Sequence, residues 1–594
     1  MHPVDADALA PREFTLRGLG LGLFLAVLLG AANAYLGLYA GMTVSASIPA
    51  AVISMAVLRA LGGATILENN VVQTIASAGE AVAAGAIFTF PALVVLGRAG
   101  DLTYWEITLL CAAGGTMGSL LVILLRRAYI VEERLPFPEG VACAQVLRSG
   151  DAGSGAARPL VAGGLIAAVL KAAQQIVGLM PDSLGAASRF GPFVIAGSVD
   201  LSAALVGIGY IIGLPIASMV LTGGVIGWFV AVPVLSLFHP EMHQLSAGQA
   251  ASALWRTQVR FLGVGAMLTG GLTTLWRMRG PIVRAIMELR RTRLAAASAA
   301  RPREETDVPM TQVMIAIALC IAVMVVLYSG VAGSWTMGVM LAIALALIGF
   351  FATAVAGYLT GLVGASNNPV SGVTLIVLLG VALLLKLAGV GTATGPKIAI
   401  LAGAVVCVAA AMAGDSLHDL ATGYHLGATP RALEYGVLAG ALVSALVVAP
   451  ILKVLIASYG IAGMPNAPAG ALAAPQAFLM AQVIHGVFAG GLPWAMIGTG
   501  AVLAFLFFLI DVRLERRRSG WRTPPMPLAL GLYLPLGLSV AIAIGALFRA
   551  LIGKREQSEA DAGVLFSAGM VAGEALTGIL TAALVTAGIK LPLG

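Results

Sequence analysis

The sequence predicts an all-α polytopic membrane protein of about sixteen transmembrane helices, in two eight-helix halves of the same orientation, with some helices discontinuous. Three observations carry this. Hydrophobic residues make up 59% of the 594-residue chain and charged ones 10%, where a soluble domain carries about 25% charged residues; the mean hydropathy is +0.98. Cutting at polar and Pro/Gly clusters leaves about sixteen apolar stretches, each near the ~20 residues that cross ~30 Å of hydrocarbon. The arginines gather in three clusters, each after an even-numbered stretch, so all three can share the cytoplasmic side with both termini. The formal charge of +7 thus reports topology, with no nucleic-acid partner implied. Membrane lipid is the surrounding partner.

Residues 1–15 form a cytoplasmic N-terminus. The first stretch, 16–39, contains "AANA", with Ala32 and Ala34 spaced like a signal-peptidase site, but the apolar run continues through "YLGLYAG". It is read as a retained first helix. Stretches 43–62, 71–97 and 104–128 follow, then Arg126, Arg127, Arg134, Arg148 and Arg158. Next come 158–181, 201–214, 216–238 and 256–278. Residues 201–238 count as two crossings, because one helix of that length would be ~57 Å long and would put the first basic cluster opposite the other two. These eight stretches make a first half, 16–278. The loop 279–308, with Arg279, Arg284, Arg290, Arg291, Arg293, Arg301 and Arg303, is a basic cytoplasmic linker. The second half, 309–594, holds 309–328, 335–362, 370–388, 396–413, 433–457, 476–510, 526–550 and 563–588, with Arg513, Arg516, Arg517, Arg518 and Arg522 after its sixth. The four cysteines, Cys111, Cys143, Cys320 and Cys407, show no paired spacing, and neither a disulfide framework nor a zinc site is expected.

Two internal echoes suggest duplication. "NNVV" at Asn69 resembles "NNPV" at Asn367, and "AGEA" occurs at 78–81 and again at 572–575, which gives Glu80 and Glu574 matching contexts. In a chain rich in Ala and Gly, chance repetition is the competing explanation.

The polar residues inside apolar stretches are the candidate functional groups. Glu80 lies near mid-bilayer, where a carboxylate costs ~2.5–3.5 kcal/mol or more and must face protein or water. Asn69, Gln73 and Ser77 are four residues apart and Glu80 follows at three, so they share one helix face, next to Asn70. Hydrogen bonding between helices is the alternative role for such a stripe. "GASNNPVSG" (364–372) should interrupt a helix at Pro369, offering Asn367, Asn368 and Ser371 to a cavity, or else form a tight surface loop. Lys171, Gln174 and Gln175 form a polar patch in the fifth stretch; Lys171 either meets a substrate carboxylate or snorkels to an interface. "GDSLHDLATGYHLGATPR" (414–431) is expected as a solvated cytoplasmic loop carrying Asp415, His418, Asp419, Tyr424 and His425, with no metal-site spacing. No HExxH, GxSxG, phosphate loop or channel filter occurs, so no enzyme, ATP-driven pump or ion channel is expected.

The segments "NNVVQTIASAGEAVAAGAIFTFPAL" (69–93), "LPFPEGVACAQVL" (135–147), "SNNPVSG" (366–372), "GDSLHDLATGYHLGATP" (414–430), "APQAFLMAQVIHGVF" (474–488) and "SAGMVAGEALTGIL" (567–580) resemble signatures of the oligopeptide transporter family. The resemblance spans essentially the whole chain. It implies a secondary carrier of about sixteen helices moving small peptides, glutathione-like peptides or metal chelates, usually with protons and by alternating access. The compact loops look like those of prokaryotic members, related to the yellow stripe-like branch. One departure is Ala421, where the family pattern leads one to expect Lys before Thr-Gly-Tyr; His418 and His425 are additions.

Together these readings give an expected importer of small oligopeptides in the cell (inner) membrane, driven by a proton gradient and needing no cofactor. Glu80 and Glu574 are the expected proton-coupling carboxyls. Asn69, Asn70, Gln73, Ser77, Lys171, Gln174, Asn367, Asn368 and Ser371 are the expected substrate ligands, and Asp415, Asp419 and Tyr424 a gating or cytoplasmic loop. A metal-chelate cargo is the alternative, a passive channel comes next, and a homodimer is compatible with the sequence.

Overall fold

The computed structural model describes residues 13–587, except 42, 44, 102, 152–156, 278–302, 364, 366, 367, 369, 463, 465, 466, 468–470, 491, 492, 520 and 553–561. Asn367 and the linker up to 302 therefore lie outside the described residues. The helices are α1 (Leu16–Ala40), α2 (Ser47–Ala60), α3 (Ile66–Thr89), α4 (Pro91–Val95), α5 (Tyr104–Arg126), α6 (Pro138–Asp151), α7 (Ala157–Gln175), α8 (Ala203–Val225), α9 (Val232–Phe238), α10 (Ala247–Leu254), α11 (Arg260–Arg277), α12 (Met310–Ala332), α13 (Trp335–Val363), α14 (Val370–Leu387), α15 (Gly395–Leu426), α16 (Pro430–Tyr459), α17 (Pro475–Phe488), α18 (Trp494–Arg516), α19 (Pro525–Tyr533), α20 (Leu536–Ile552) and α21 (Ala562–Thr586). Their starts follow ordinary capping chemistry: the Thr15, Thr65 and Thr103 hydroxyls accept from the N–H of Gly18, Glu68 and Glu106.

Among the described residues, eleven helical stretches are long and apolar enough to cross a membrane, and α2 and α20 are shorter apolar helices. The difference from about sixteen arises because several expected stretches are broken, short or less apolar. Residues 203–238 run as one helical stretch, interrupted at Gly213, whose φ of 76° is open to glycine and which precedes Pro215. Expected stretch 476–510 divides into α17 and α18, and 526–550 into α19 and α20 at Leu534 and Pro535. Between α7 and α8 lies a hairpin that the sequence reading leaves out. Its strands β1 (Ser183–Phe190) and β2 (Phe193–Asp200) pair antiparallel from Ser183 with Asp200 to Phe190 with Phe193. Gly191, at φ 58°, and Pro192 make the two-residue turn, and β2 buries Val194 beside Trp228 and Trp255.

Two helices form the interior. Of the most apolar window of α3 and of α15, 94% is buried, against 17% in the stretch ending in α12 and 22% in α18, which therefore face lipid. In hydrocarbon, where apolar burial does not drive helices together, close packing of small residues does. Gly22, Ala26 and Gly30 of α1 line up against Ile75, Gly79 and Ala83 of α3, with the two helices parallel. A Cβ built on Gly79 would lie 2.5 Å from Ala26 Cβ. A second parallel pair, α7 and α21, is joined the same way: a Cβ on Gly573 would lie 2.8 Å from Gly164 Cα.

Ion pairs fix one end of the central helices. Arg17 donates Nε and Nη2 to the two carboxylate oxygens of Glu68, each at 2.8 Å, and Nη2 also to Gly63 O at 2.7 Å. The ends of α1, α2 and α3 therefore meet at this face. The 14 residues of α2 span only ~21 Å, so its N-terminus stops inside the protein. Elsewhere Arg260, 1% exposed, sits over the rings of Phe478, Tyr533 and Trp255 at 3.9, 4.6 and 5.2 Å from their centroids. It donates to the carbonyls of Ala462 (3.2 Å) and Ala473 (3.0 Å) and to the Tyr533 hydroxyl. Non-helical backbone inside a membrane protein needs such donors.

Candidate functional site

The polar stripe of α3 is fully enclosed. Asn69, Asn70, Gln73, Ser77 and Glu80 are all buried, and each partner but one comes from another element. Asn69 Oδ1 accepts from Ser54 of α2 at 2.6 Å. The amide of Gln73 donates to Asp419 Oδ1, and the Ser47 hydroxyl lies 3.1 Å from the same oxygen and 3.2 Å from Ser77 Oγ. Glu80 accepts from the Asn33 amide of α1 and, at 3.4 Å, from the N–H of Ala46. Ala46 is the residue at which α2 begins, so the positive end of that half-helix points at the carboxyl.

Asp415, His418 and Asp419 stand on α15, and here the sequence expectation is corrected. Residues 414–426 are not a solvated loop: α15 continues through them to Leu426, and Gly427 ends it. Asp419 and His418 are 0% and 2% exposed. The letters look like a loop because they are polar, but Asp415 and Asp419 are one helical turn apart on α15, and Asp419 meets the polar stripe of α3 instead of water. Tyr424 and His425, near the helix end, are the exposed ones, and Asp415 is half-buried. His418 Nδ1 lies 3.4 Å from Glu139 Oε2, in the first turn of α6. Asp415 and Asp419 both act electrostatically on Glu80. Ala421 is buried and packs against Gly140 of α6.

The second Asn-Asn segment reaches the same helix. α13 ends at Val363 and α14 starts at Val370, as Pro369 requires. A Cβ built on Gly414 would lie 2.5 Å from the Asn368 amide nitrogen, and one on Gly423 would lie 3.1 Å from the Asn70 amide nitrogen. Asn70 and Asn368 therefore pack along α15 nine residues, or ~13 Å, apart. Ser371 is half-buried in the first turn of α14.

Many polar atoms here have hydrogen-bonding capacity left over. Asn70 Oδ1 and Nδ2, Gln73 Oε1, Thr360 Oγ1, Asn368 Oδ1, Ser416 Oγ and Asp419 Oδ2 are buried without a hydrogen-bond partner among the described residues. Buried polar groups are nearly always paired, by protein, water or ligand, and leaving one unpaired costs about 1–3 kcal/mol. All of these lie on α3, on α15 or on the segments of α13 and Asn368 packed against α15.

Glu574 occupies a separate cluster. It accepts from Ser202 Oγ and Ala204 N, both at 2.8 Å, at the N-terminus of α8, and lies 3.9 Å from Lys171 Nζ. Lys171 does not snorkel: it is 4% exposed and bonds Asp182 at 3.2 Å. Gln174 donates to Leu201 O at 2.7 Å, and the Tyr459 hydroxyl donates to Gln175 Oε1 at 2.9 Å. The two "AGEA" segments are thus used alike. Each glycine seats its helix on a parallel neighbour, at Ala26 and at Gly164. Seven residues further along that neighbour stands the polar partner of the glutamate, Asn33 or Lys171. A helix N-terminus completes each site. The two clusters are not merged: Asn33 of α1 faces Glu80, while Tyr35 packs on Gly578 and Tyr39 lies 3.3 Å from Asp200 on the other side.

Sequence reasoning missed Asn33, Ser47, Glu139, Ser202 and Arg260. Glu139 and Ser202 stand at helix starts, which capping patterns signal; the single Asn33 in an Ala-rich helix gives no such sign.

A family model described as OPT oligopeptide transporter protein matches residues 13–585. A protein of Haemophilus influenzae (strain ATCC 51907 / DSM 11121 / KW20 / Rd), named "Putative oligopeptide transporter", is 33% identical over 590 residues, covering 93% of this chain and 93% of the relative.

Proposed function

The chain belongs to the OPT oligopeptide transporter family, and on that premise we propose that it imports small oligopeptides across the cell membrane by proton symport with alternating access. It is a transporter, not an enzyme, and an integral membrane protein. The observation that supports the reading best is the set of unpaired buried polar atoms on α3 and α15. A peptide stripped of water needs its amide N–H and C=O groups satisfied, and Asn70, Gln73, Asn368 and Ser416 offer both donors and acceptors. Glutathione-like peptides have the same needs.

Glu80 is the proton-coupling carboxyl of this reading. It sits ~18 Å along α3 from the face where Arg17 meets Glu68, within electrostatic reach of two aspartates and beside the half-helix α2. A group so placed senses both a proton and the state of the substrate site. Glu574 is the second carboxyl, in a matching frame with a lysine beside it. The face bearing Arg17, Arg126, Arg127 and Arg148 is the cytoplasmic one by its charge; α1 starts there, whereas α21 runs away from it and ends beside the far end of α16, where Ser458 donates to Ala582 O at 2.8 Å, so the expectation of both termini on one side is corrected. The test is Glu80→Gln in proteoliposomes. The variant should exchange labelled trialanine across the membrane by counterflow yet fail to accumulate it on an imposed proton gradient; full gradient-driven accumulation sinks the assignment.

A further inference from the structure

Buried carboxylates need counter-charges, and among the described residues most have one. Glu13 pairs with Arg303 at 2.9 Å, Glu68 with Arg17 at 2.8 Å and Glu139 with His418 at 3.4 Å. Glu434 lies 4.0 Å from Arg126, Asp511 3.0 Å from Arg522 and Glu574 3.9 Å from Lys171. Among the described residues the two buried acids without a basic group in that range are Glu80 and Asp419. They are neighbours, with Asp415 one turn along α15.

Their oxygens differ. Both oxygens of Glu80 accept hydrogen bonds, from Asn33 and Ala46. In Asp419, Oδ1 takes the bonds from Gln73 and Ser47, while Oδ2 is buried with none. Two further acceptors on the neighbouring side chains are unpaired: Gln73 Oε1, on the side chain bonded to Asp419, and Asn70 Oδ1, whose amide nitrogen, also unpaired, is the atom that lies against Gly423 one turn further along α15. A charged acceptor with two neutral acceptors beside it suits a group bearing positive charge and three N–H donors. It does not suit a carboxylate.

We propose that Asp419, supported by Asp415, holds the free α-ammonium group of the transported peptide, with Gln73 and Asn70 accepting its remaining hydrogens. The inference rests on the peptide-carrier reading above and adds to it the direction in which substrate is read. The amino end enters the acidic pocket, and the carboxyl end makes no ion pair there. Peptides with a blocked amino terminus bind poorly because they would leave the aspartate with no cation but the neighbouring His418, which already faces Glu139, a larger penalty than loss of one neutral hydrogen bond. Specificity of this kind comes from what the wrong substrate leaves unpaired.

The experiment is competition against uptake of labelled trialanine by proteoliposomes of the full chain. Trialanine amide, which keeps the ammonium and loses the carboxylate, should inhibit within about threefold of trialanine itself, and N-acetyl-trialanine at least tenfold more weakly. Equal inhibition by the acetylated and free peptides overturns the proposal while leaving the carrier reading intact. Absence of any trialanine uptake overturns both. Asp419→Asn keeps an acceptor for Gln73 and Ser47 and removes the charge. It should raise the KM for trialanine at least tenfold and abolish the preference over the acetylated peptide; an unchanged KM and preference also overturns the proposal. Should this variant not fold, the competition in the unaltered protein decides alone.

Discussion

Replacing Gly79 by Ala adds one methyl group at the contact that seats α1 on α3. The new Cβ would lie 2.5 Å from Ala26 Cβ, 2.8 Å from its Cα and 2.9 Å from its carbonyl oxygen. Relaxed contacts between carbons need about 3.5–4.0 Å, and two of the opposing atoms are backbone, so no rotamer change relieves the clash. The helices must part by about 1 Å. Overpacking of this kind costs about 1–3 kcal/mol, and the displacement reaches Asn33, two turns along α1 from Ala26, whose bond to Glu80 lengthens. The expected result is a lower unfolding temperature in detergent and a loss of at least tenfold in initial uptake rate. Gly380→Ala, in α14 with nothing within 4 Å of the added Cβ, is the control and should stay within about 0.5 kcal/mol of the parent. If Gly79→Ala cannot be told from Gly380→Ala in both measurements, the packing argument that positions Glu80 fails.

Two further substitutions probe the supports of the fold. Arg260→Lys keeps the charge but loses the planar fork that reaches Ala462, Ala473 and Tyr533 at once; thermal unfolding should report a loss of about 3 kcal/mol, since each bond to a charged donor is worth about 1.5–3 kcal/mol. Lys171→Met removes the cation between Asp182 and Glu574. A fully buried broken pair costs about 3–5 kcal/mol; with the Asp182 side chain 36% exposed, about 2–3 kcal/mol is expected, and Glu574→Gln in the same background should recover part of it.

The membrane class, the buried stripe from Asn69 to Glu80 and the break before Val370 could all be read from the sequence, because each depends on local spacing or on one proline. The correspondence of Glu80 and Glu574 was visible only as four letters. Its physical content, a seating glycine, a partner seven residues along and a helix N-terminus, comes from helices far apart in sequence. The 414–426 segment misled for a definite reason. Polarity in a sequence signals solvent exposure, whereas here Asp419 bonds Gln73 and Ser47 across a helix interface and Asp415 stands within electrostatic reach of Glu80. The hairpin 183–200 was missed because its small residues give little β signal, and β2 is held by Trp228 and Trp255, which no local pattern connects to it.

The most direct measurement of the central claim is trialanine accumulation in proteoliposomes with an inward proton gradient, with no gradient, and with the gradient collapsed by a protonophore. The expected result is saturable accumulation above the external concentration in the first case only, and its loss in Glu80→Gln. Uptake that only equilibrates in all three cases, and that Glu80→Gln leaves unchanged, would contradict a proton-driven carrier with Glu80 at its centre.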